Sequence, residues 1–222
     1  DCLFAYSSGG LLLGLGSMAL LGAMLVIQSS GLSPIDISPH VPRMVTAAVF
    51  RELAPLVVGL LLAARIGARI SAEVAGMAYT AQLDSMRVLG LSPRSELLLP
   101  MMSAAAAAFP LCIILGGLMA LGGGAIMAGL PLPGLHIGVS RFTALALETL
   151  DVSLLASCMV KGLTMGVLVA WVAYERGSRE VASATQLGSS VTAATVLAAM
   201  AVVAVDVVVG LIWHMFEIGG RG

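Results

Sequence analysis

Charge is what this chain has least of: eleven basic and twelve acidic residues make up 10% of its 222 residues and leave a net charge of -1. With no polybasic face, nucleic acid is not an expected partner. The lone lysine, Lys161, is followed by Gly162 and Leu163. A phosphate-cradling P-loop needs a Gly-rich turn ending in Lys-Ser/Thr, so the chain holds no ATPase site of that type. Neither HExxH nor GxSxG occurs, and His40, His136 and His214 are scattered. Metal and nucleophile chemistry therefore have no anchor, and no enzyme activity, cofactor or metal is expected in this chain. Ser157 and Lys161 stand four apart, as in a Ser-Lys dyad, but a chance spacing is the simpler reading. Cys2, Cys112 and Cys158 are far apart, two of them in apolar runs. They read as small buried hydrophobes rather than a disulfide or metal set. The sequence starts at Asp1 without Met or a basic leader, so the expectation is that no signal peptide is present and that the natural N-terminus lies upstream.

What fills the chain instead is apolar: 59% of residues are hydrophobic, and the mean hydropathy is +1.04. That exceeds what a soluble core of this length can bury, so lipid is the solvent for much of the surface. The pattern predicts a single all-α polytopic membrane domain over residues 1–222. Five spans are expected at about 9–27, 41–66, 97–121, 152–174 and 192–216, each near the ~20 residues that cross ~30 Å of hydrocarbon. Gly10, Gly14, Gly16 and Ser17 offer the first span a small-residue face, and Ala104 to Ala108 offer one to the third. Residues 28–42 read as a Ser/Pro-rich loop. Gly122, Gly123 and Gly124 with Pro131 and Pro133 read as a flexible loop after the third span, with a short helix near 142–150. Arg65, Arg69, Arg87, Arg94, Arg176 and Arg179 flank the second and fourth connections, whereas the connections on the other side hold only Arg43 and Arg141. The positive-inside rule then orients residues 66–96 and 175–190 to the cytoplasm.

The second span is the unusual one. Only twelve uncharged residues separate Glu52 from Arg65, too few to cross, so the helix must reach back to about Val41 and carry Arg51 and Glu52 into the membrane. Pro55 lacks an N–H, which leaves the Arg51 carbonyl without its helical partner, and an opening is expected from Arg51 to Pro55. Lys161 and Asp206 fall at similar depth, ~13 and ~15 Å from the outer ends of their spans, with Arg51 at ~10–15 Å. The four charges are a candidate intramembrane cluster, open to two readings: structural pairing between helices, or a direct role in substrate passage and gating. Arg65, Arg69 and Glu73 lie along one helix stripe at the interface, where Arg65 can snorkel to headgroups. Thr80 to Leu89 is amphipathic, with Leu83, Met86 and Leu89 or Gly90 on one side and Gln82, Asp84 and Arg87 toward the others. Gly90 and Pro93 mark its end. Mixed charge signs fit a groove in a partner protein better than anionic lipid.

ELAP at Glu52 to Pro55, the AAR-G of Ala63 to Gly67, Ala72-Glu73, and TxQLDSMRVLGLSP from Thr80 resemble the signature region of the MlaE/YrbE permeases, membrane subunits of MCE-type ABC lipid transporters. The resemblance extends less tightly over nearly the whole chain, including Lys161 and Asp206. It implies a dimeric permease of the bacterial inner membrane, homodimer or heterodimer, with a lipid cavity near the dimer interface, for which Arg51, Glu52, Pro55, Lys161 and Asp206 are the candidate residues. It makes 80–90 a cytoplasmic coupling helix, in which Gln82, Leu83, Asp84, Ser85, Met86 and Arg87 seat on a separate ATPase that binds ATP and Mg. It also implies a periplasmic MCE-domain protein as lipid conduit. The chain differs from the family's pattern at Ala78 or Tyr79 and at Ala81, where an Arg and a Glu are usual, and at Ser92, where Asp is usual. A different class of function, an ATP-independent secondary transporter or channel using the charge cluster as an ion relay, needs no ATPase, but five spans without inverted repeats do not favour it.

Overall fold

A computed structural model describes residues 8–31, 40–130, 137–179 and 184–219, and among them every regular element is helical, with no strand. Helix α1 is Ser8–Gly31. Helix α2, Val41–Tyr79, runs for 39 residues. A short helix α3 follows at Gln82–Val88, then α4 at Arg94–Ala128, α5 at Val139–Thr149, α6 at Val152–Gly177 and α7 at Ala184–Gly219. Among the described residues, α2, α4, α6 and the Gly188–Phe216 part of α7 are long and apolar enough to cross a membrane, and α1 adds a shorter apolar helix. Lipid cannot hydrogen-bond a backbone, so a chain this apolar satisfies its own peptide groups within helices. This is an all-α polytopic membrane protein.

The long helices run further than expected, whereas the coupling helix expected at 80–90 is shorter, Gln82–Val88. α2 continues thirteen residues beyond 66 to Tyr79. α4 passes straight through Gly122, Gly123 and Gly124 to Ala128. The helix near 142–150 begins at Val139, and α7 begins at Ala184 rather than 192. Residues 32–39, most of the first loop, Cys2 and His136 lie outside the described residues.

The chain forms two compact units, one comprising residues 1–58 and 112–158, the other 59–111 and 159–222. In the first, α1 and the second half of α4 meet backbone to backbone. A Cβ added to Gly22 would collide with the carbonyl of Ala120, and one added to Gly123 with the carbonyl of Ala19. The glycine triplet is therefore a packing surface rather than a hinge. Between helices in lipid, small residues permit the close van der Waals contact that replaces a hydrophobic driving force. Gly16, by contrast, has open space at its Cβ position. Phe50, Phe142, Met18 and Val26 are fully buried in this unit, with Phe50 lying over Gly117 and Phe142 and Val26 over Gly124. Arg43 Nη2 donates to Glu148 Oε2 at 3.0 Å, tying α5 to the start of α2.

The second unit repeats the device with other residues. Gly162 and Gly166, four apart on α6, lie against Pro110 and Ala105 of α4, where added Cβ atoms would sit 2.7 and 2.5 Å from backbone atoms. The expected smooth alanine face of the third span is thus in use. α7 packs along the Ala63–Tyr79 part of α2.

Candidate functional site

Two π-helical turns interrupt α2, at Val49–Leu53 and Ala63–Gly67. The first explains how Pro55 is accommodated. Ala54 N–H bonds to the carbonyl of Val49, five residues back rather than four. This wider register moves the proline's missing donor from Arg51 to Phe50, whose partner five residues on would be Pro55. The Phe50 carbonyl is buried, and the thiol of Cys158 donates to it at 2.7 Å. Cys158 is fully buried and is in no disulfide, and it is more than the filler expected: it supplies the hydrogen bond that the proline removes. The opening expected from Arg51 to Pro55 is present as this turn, and π-turns recur at functional sites.

Arg51 and Glu52 lie on that turn and are exposed, while Pro55 is buried. Lys161 and Asp206, in the second unit, are treated the opposite way. They are 1% and 5% exposed, and Lys161 Nζ donates to Asp206 Oδ1 at 2.8 Å. Desolvating two ions in this setting is tolerable because each neutralises the other. Ser157 donates its hydroxyl to the Leu154 carbonyl, which leaves the Ser-Lys spacing without a dyad's geometry. Among the described residues no three His, Cys, Asp or Glu side chains gather to hold a metal ion.

Arg65, Arg69 and Glu73 line the exposed stripe of α2 as it approaches α3. The chain turns there through Ala81, whose φ of 56° is left-handed, a conformation that costs an alanine about 1 kcal/mol. Thr80 braces the turn by donating to the Gly76 carbonyl at 2.9 Å. α3 then ends in a Schellman motif: Leu91 N–H bonds to the Met86 carbonyl and Gly90 N–H to that of Arg87, with Gly90 at φ 78°. The left-handed residue is a glycine, so the cap is free of strain. On the helix, Gln82, Asp84, Ser85 and Arg87 are exposed and Met86 is half-buried, and Arg87 pairs with Asp84 at 2.9 Å.

Leu83 is the surprise: only 4% exposed, it anchors α3 in the protein itself. The open apolar surface is at the other end, where Val88 is 87% and Leu89 75% exposed, with Leu91 and Tyr79 also exposed. Sequence periodicity placed Leu83, Met86 and Leu89 on one side and missed Val88 and Leu91, because the helix is only seven residues long and its capping turn carries half of the patch. Beside it, Arg94 Nη2 donates to Glu175 Oε1 at 2.9 Å, tying the start of α4 to the end of α6.

With this geometry in place, comparison with known proteins is informative. The model of the family described as Permease MlaE matches residues 5–212. The chain belongs to the MlaE permease family. A probable ABC transporter permease protein of Rickettsia felis is 30% identical over 176 residues, 79% of this permease and 67% of its relative. The probable ABC transporter permease protein ycf63 of Porphyra purpurea is 28% identical over 162 residues, 73% of the permease and 60% of that protein. The protein TRIGALACTOSYLDIACYLGLYCEROL 1, chloroplastic, of Arabidopsis thaliana is 26% identical over 175 residues, 78% and 49% of the two chains. The permease is thus a membrane subunit of the ABC-transporter type, and its π-turn and α3 lie within the matched region.

Proposed function

We propose that this permease moves lipid, phospholipid or a related amphiphile, between the bacterial inner membrane and a periplasmic MCE-domain conduit, driven by a separate ATPase subunit. The observation that carries the coupling half of this reading is α3: anchored inward by Leu83, rigidly capped at Gly90, and presenting Val88, Leu89 and Leu91 to the outside. An apolar tip held this firmly suits a groove in a soluble partner, and the excess of arginine at the second and fourth connections supports a cytoplasmic position for it. Gln82, Asp84, Ser85 and Arg87 supply the polar rim of that contact.

The cargo half rests on Arg51 and Glu52. Charges exposed at membrane depth on a π-turn do not face hydrocarbon in a working assembly. A second copy of the permease covers them, and the seam they line is the lipid cavity. A relative whose name is that of a galactolipid fits lipid as the cargo.

The test is the double variant Val88→Asp, Leu89→Asp in the assembled transporter. Truncating interface anchors of this kind costs roughly 2 kcal/mol, about 30-fold in affinity. The ATPase should fail to co-purify and lipid-stimulated hydrolysis should vanish, with the membrane subunit still helical and dimeric. Unchanged hydrolysis would remove α3 from the coupling role. Leu83 is the wrong residue for this purpose, because its replacement unseats α3 before any partner is involved.

A further inference from the structure

We propose a second, peripheral lipid site on this chain: a groove between the end of α6 and the start of α7 that holds one anionic phospholipid, with its phosphate on Arg176 and an acyl chain along Ala193, Val196 and Leu197. The groove has a volume of about 620 Å³ and is lined by Arg176, Ser189, Thr192, Ala193, Val196 and Leu197, all within the second unit.

Its chemistry is graded along α7. Ser189, Thr192, Ala193 and Val196 stand at the spacing of one helix stripe, so the lining passes from hydroxyls to aliphatics over seven residues, about 10 Å of rise. Arg176 stands at the polar end, in the last turn of α6. It is half-buried, and no ion pair or hydrogen bond to another described residue engages it. The neighbouring carboxylate on its own helix, Glu175, is taken by Arg94 at 2.9 Å. A partly desolvated guanidinium beside a groove needs an acceptor, and its fork matches a phosphate with two parallel hydrogen bonds. The hydroxyls of Ser189 and Thr192 donate to Gln186 and Gly188 carbonyls and keep rotational freedom to turn toward a headgroup.

A free anion would use Arg176 and leave the aliphatic end wet. A neutral chain would use the aliphatic end and leave the guanidinium unmatched. Only an anionic amphiphile satisfies both ends. The site shares no residue with the seam proposed around Arg51 and Glu52 and needs no ATPase, so it stands or falls independently of the coupled-transport reading.

The experiment uses the full chain purified alone in detergent, without the ATPase, and counts lipids retained per chain by native mass spectrometry. The probes are dioleoyl phosphatidylglycerol, dioleoyl phosphatidylcholine and inorganic phosphate. The expected result is one phosphatidylglycerol retained, with about tenfold weaker retention in Arg176→Gln, partial rescue in Arg176→Lys, and a comparable loss in Val196→Asn with Leu197→Asn. Equal retention by wild type and Arg176→Gln overturns the proposal. So does phosphate protecting the chain as well as lipid, which would leave a simple anion site. If Arg176→Gln fails to fold, the Val196→Asn, Leu197→Asn variant decides alone: unchanged phosphatidylglycerol retention there also overturns it.

Discussion

Lys161 with Asp206, and Arg51 with Glu52, are two pairs of charges placed at similar depth by their sequence, and the fold treats them oppositely. The first pair is sealed inside one unit and neutralised at 2.8 Å. The second is left exposed on a π-turn of the other unit. Burial with a partner is what a structural charge pair requires. Exposure on an irregular turn is what a surface waiting for cargo or a second subunit requires. Charge at membrane depth is thus a single sequence signal with two structural outcomes, and the neighbouring backbone distinguishes them: Lys161 and Asp206 sit in regular α-helix, whereas Arg51 and Glu52 sit beside Pro55.

The sharpest way to break this contrast is to cut the sealed pair. Lys161→Met alone leaves Asp206 buried without its partner and should cost about 3–5 kcal/mol, read as a large fall in thermal stability in detergent. Adding Asp206→Leu should recover most of that loss, because a well-packed apolar pair replaces a buried ion pair at little net cost. If the double variant is as unstable as the single one, the pair does more than hold two helices together. If the single variant is as stable as wild type, the pair is not structural at all.

A smaller effect belongs to the hydrogen bond behind the exposed pair. Cys158→Ala should strand the Phe50 carbonyl and cost about 1–2 kcal/mol, as for a buried acceptor left unmade. Cys158→Ser, which keeps a donor, should cost less. Equal loss in both variants, measured by thermal unfolding, would mean that only the volume of the sulfur counts.

These elements also show what was legible in the sequence. Membrane class, the reach of α2 back to Val41, the opening at Pro55 and the stop at Gly90 all follow from backbone chemistry that depends on few neighbours. Gly122 to Gly124 did not follow, because a glycine run reads as a breaker in water and as a contact surface in lipid, and Ala19, the residue that decides, is a hundred positions away. Both Leu83 and Cys158 were singled out, but what they touch was hidden for the same reason. Their roles depend on which side chain meets them, and spacing within one helix carries no trace of that. Arg94 with Glu175 and Arg43 with Glu148 are likewise pairs that only the folded chain brings together.

The smallest expected effect on stability, and the most telling, comes from the exposed pair itself. Arg51→Gln with Glu52→Gln removes both charges but keeps side-chain size and hydrogen-bonding capacity, and exposed charges contribute within about 1 kcal/mol. The unfolding temperature of the isolated chain should barely move. Lipid transfer by the complete transporter should fall severely, since the seam would lose the polar groups that set it apart from ordinary lipid-facing surface. A variant that is destabilised as strongly as Lys161→Met would place Arg51 and Glu52 among structural charges and erase the contrast. A variant that is stable and transports normally would show that their exposure carries no function, and the lipid path would have to be sought on another face of the permease.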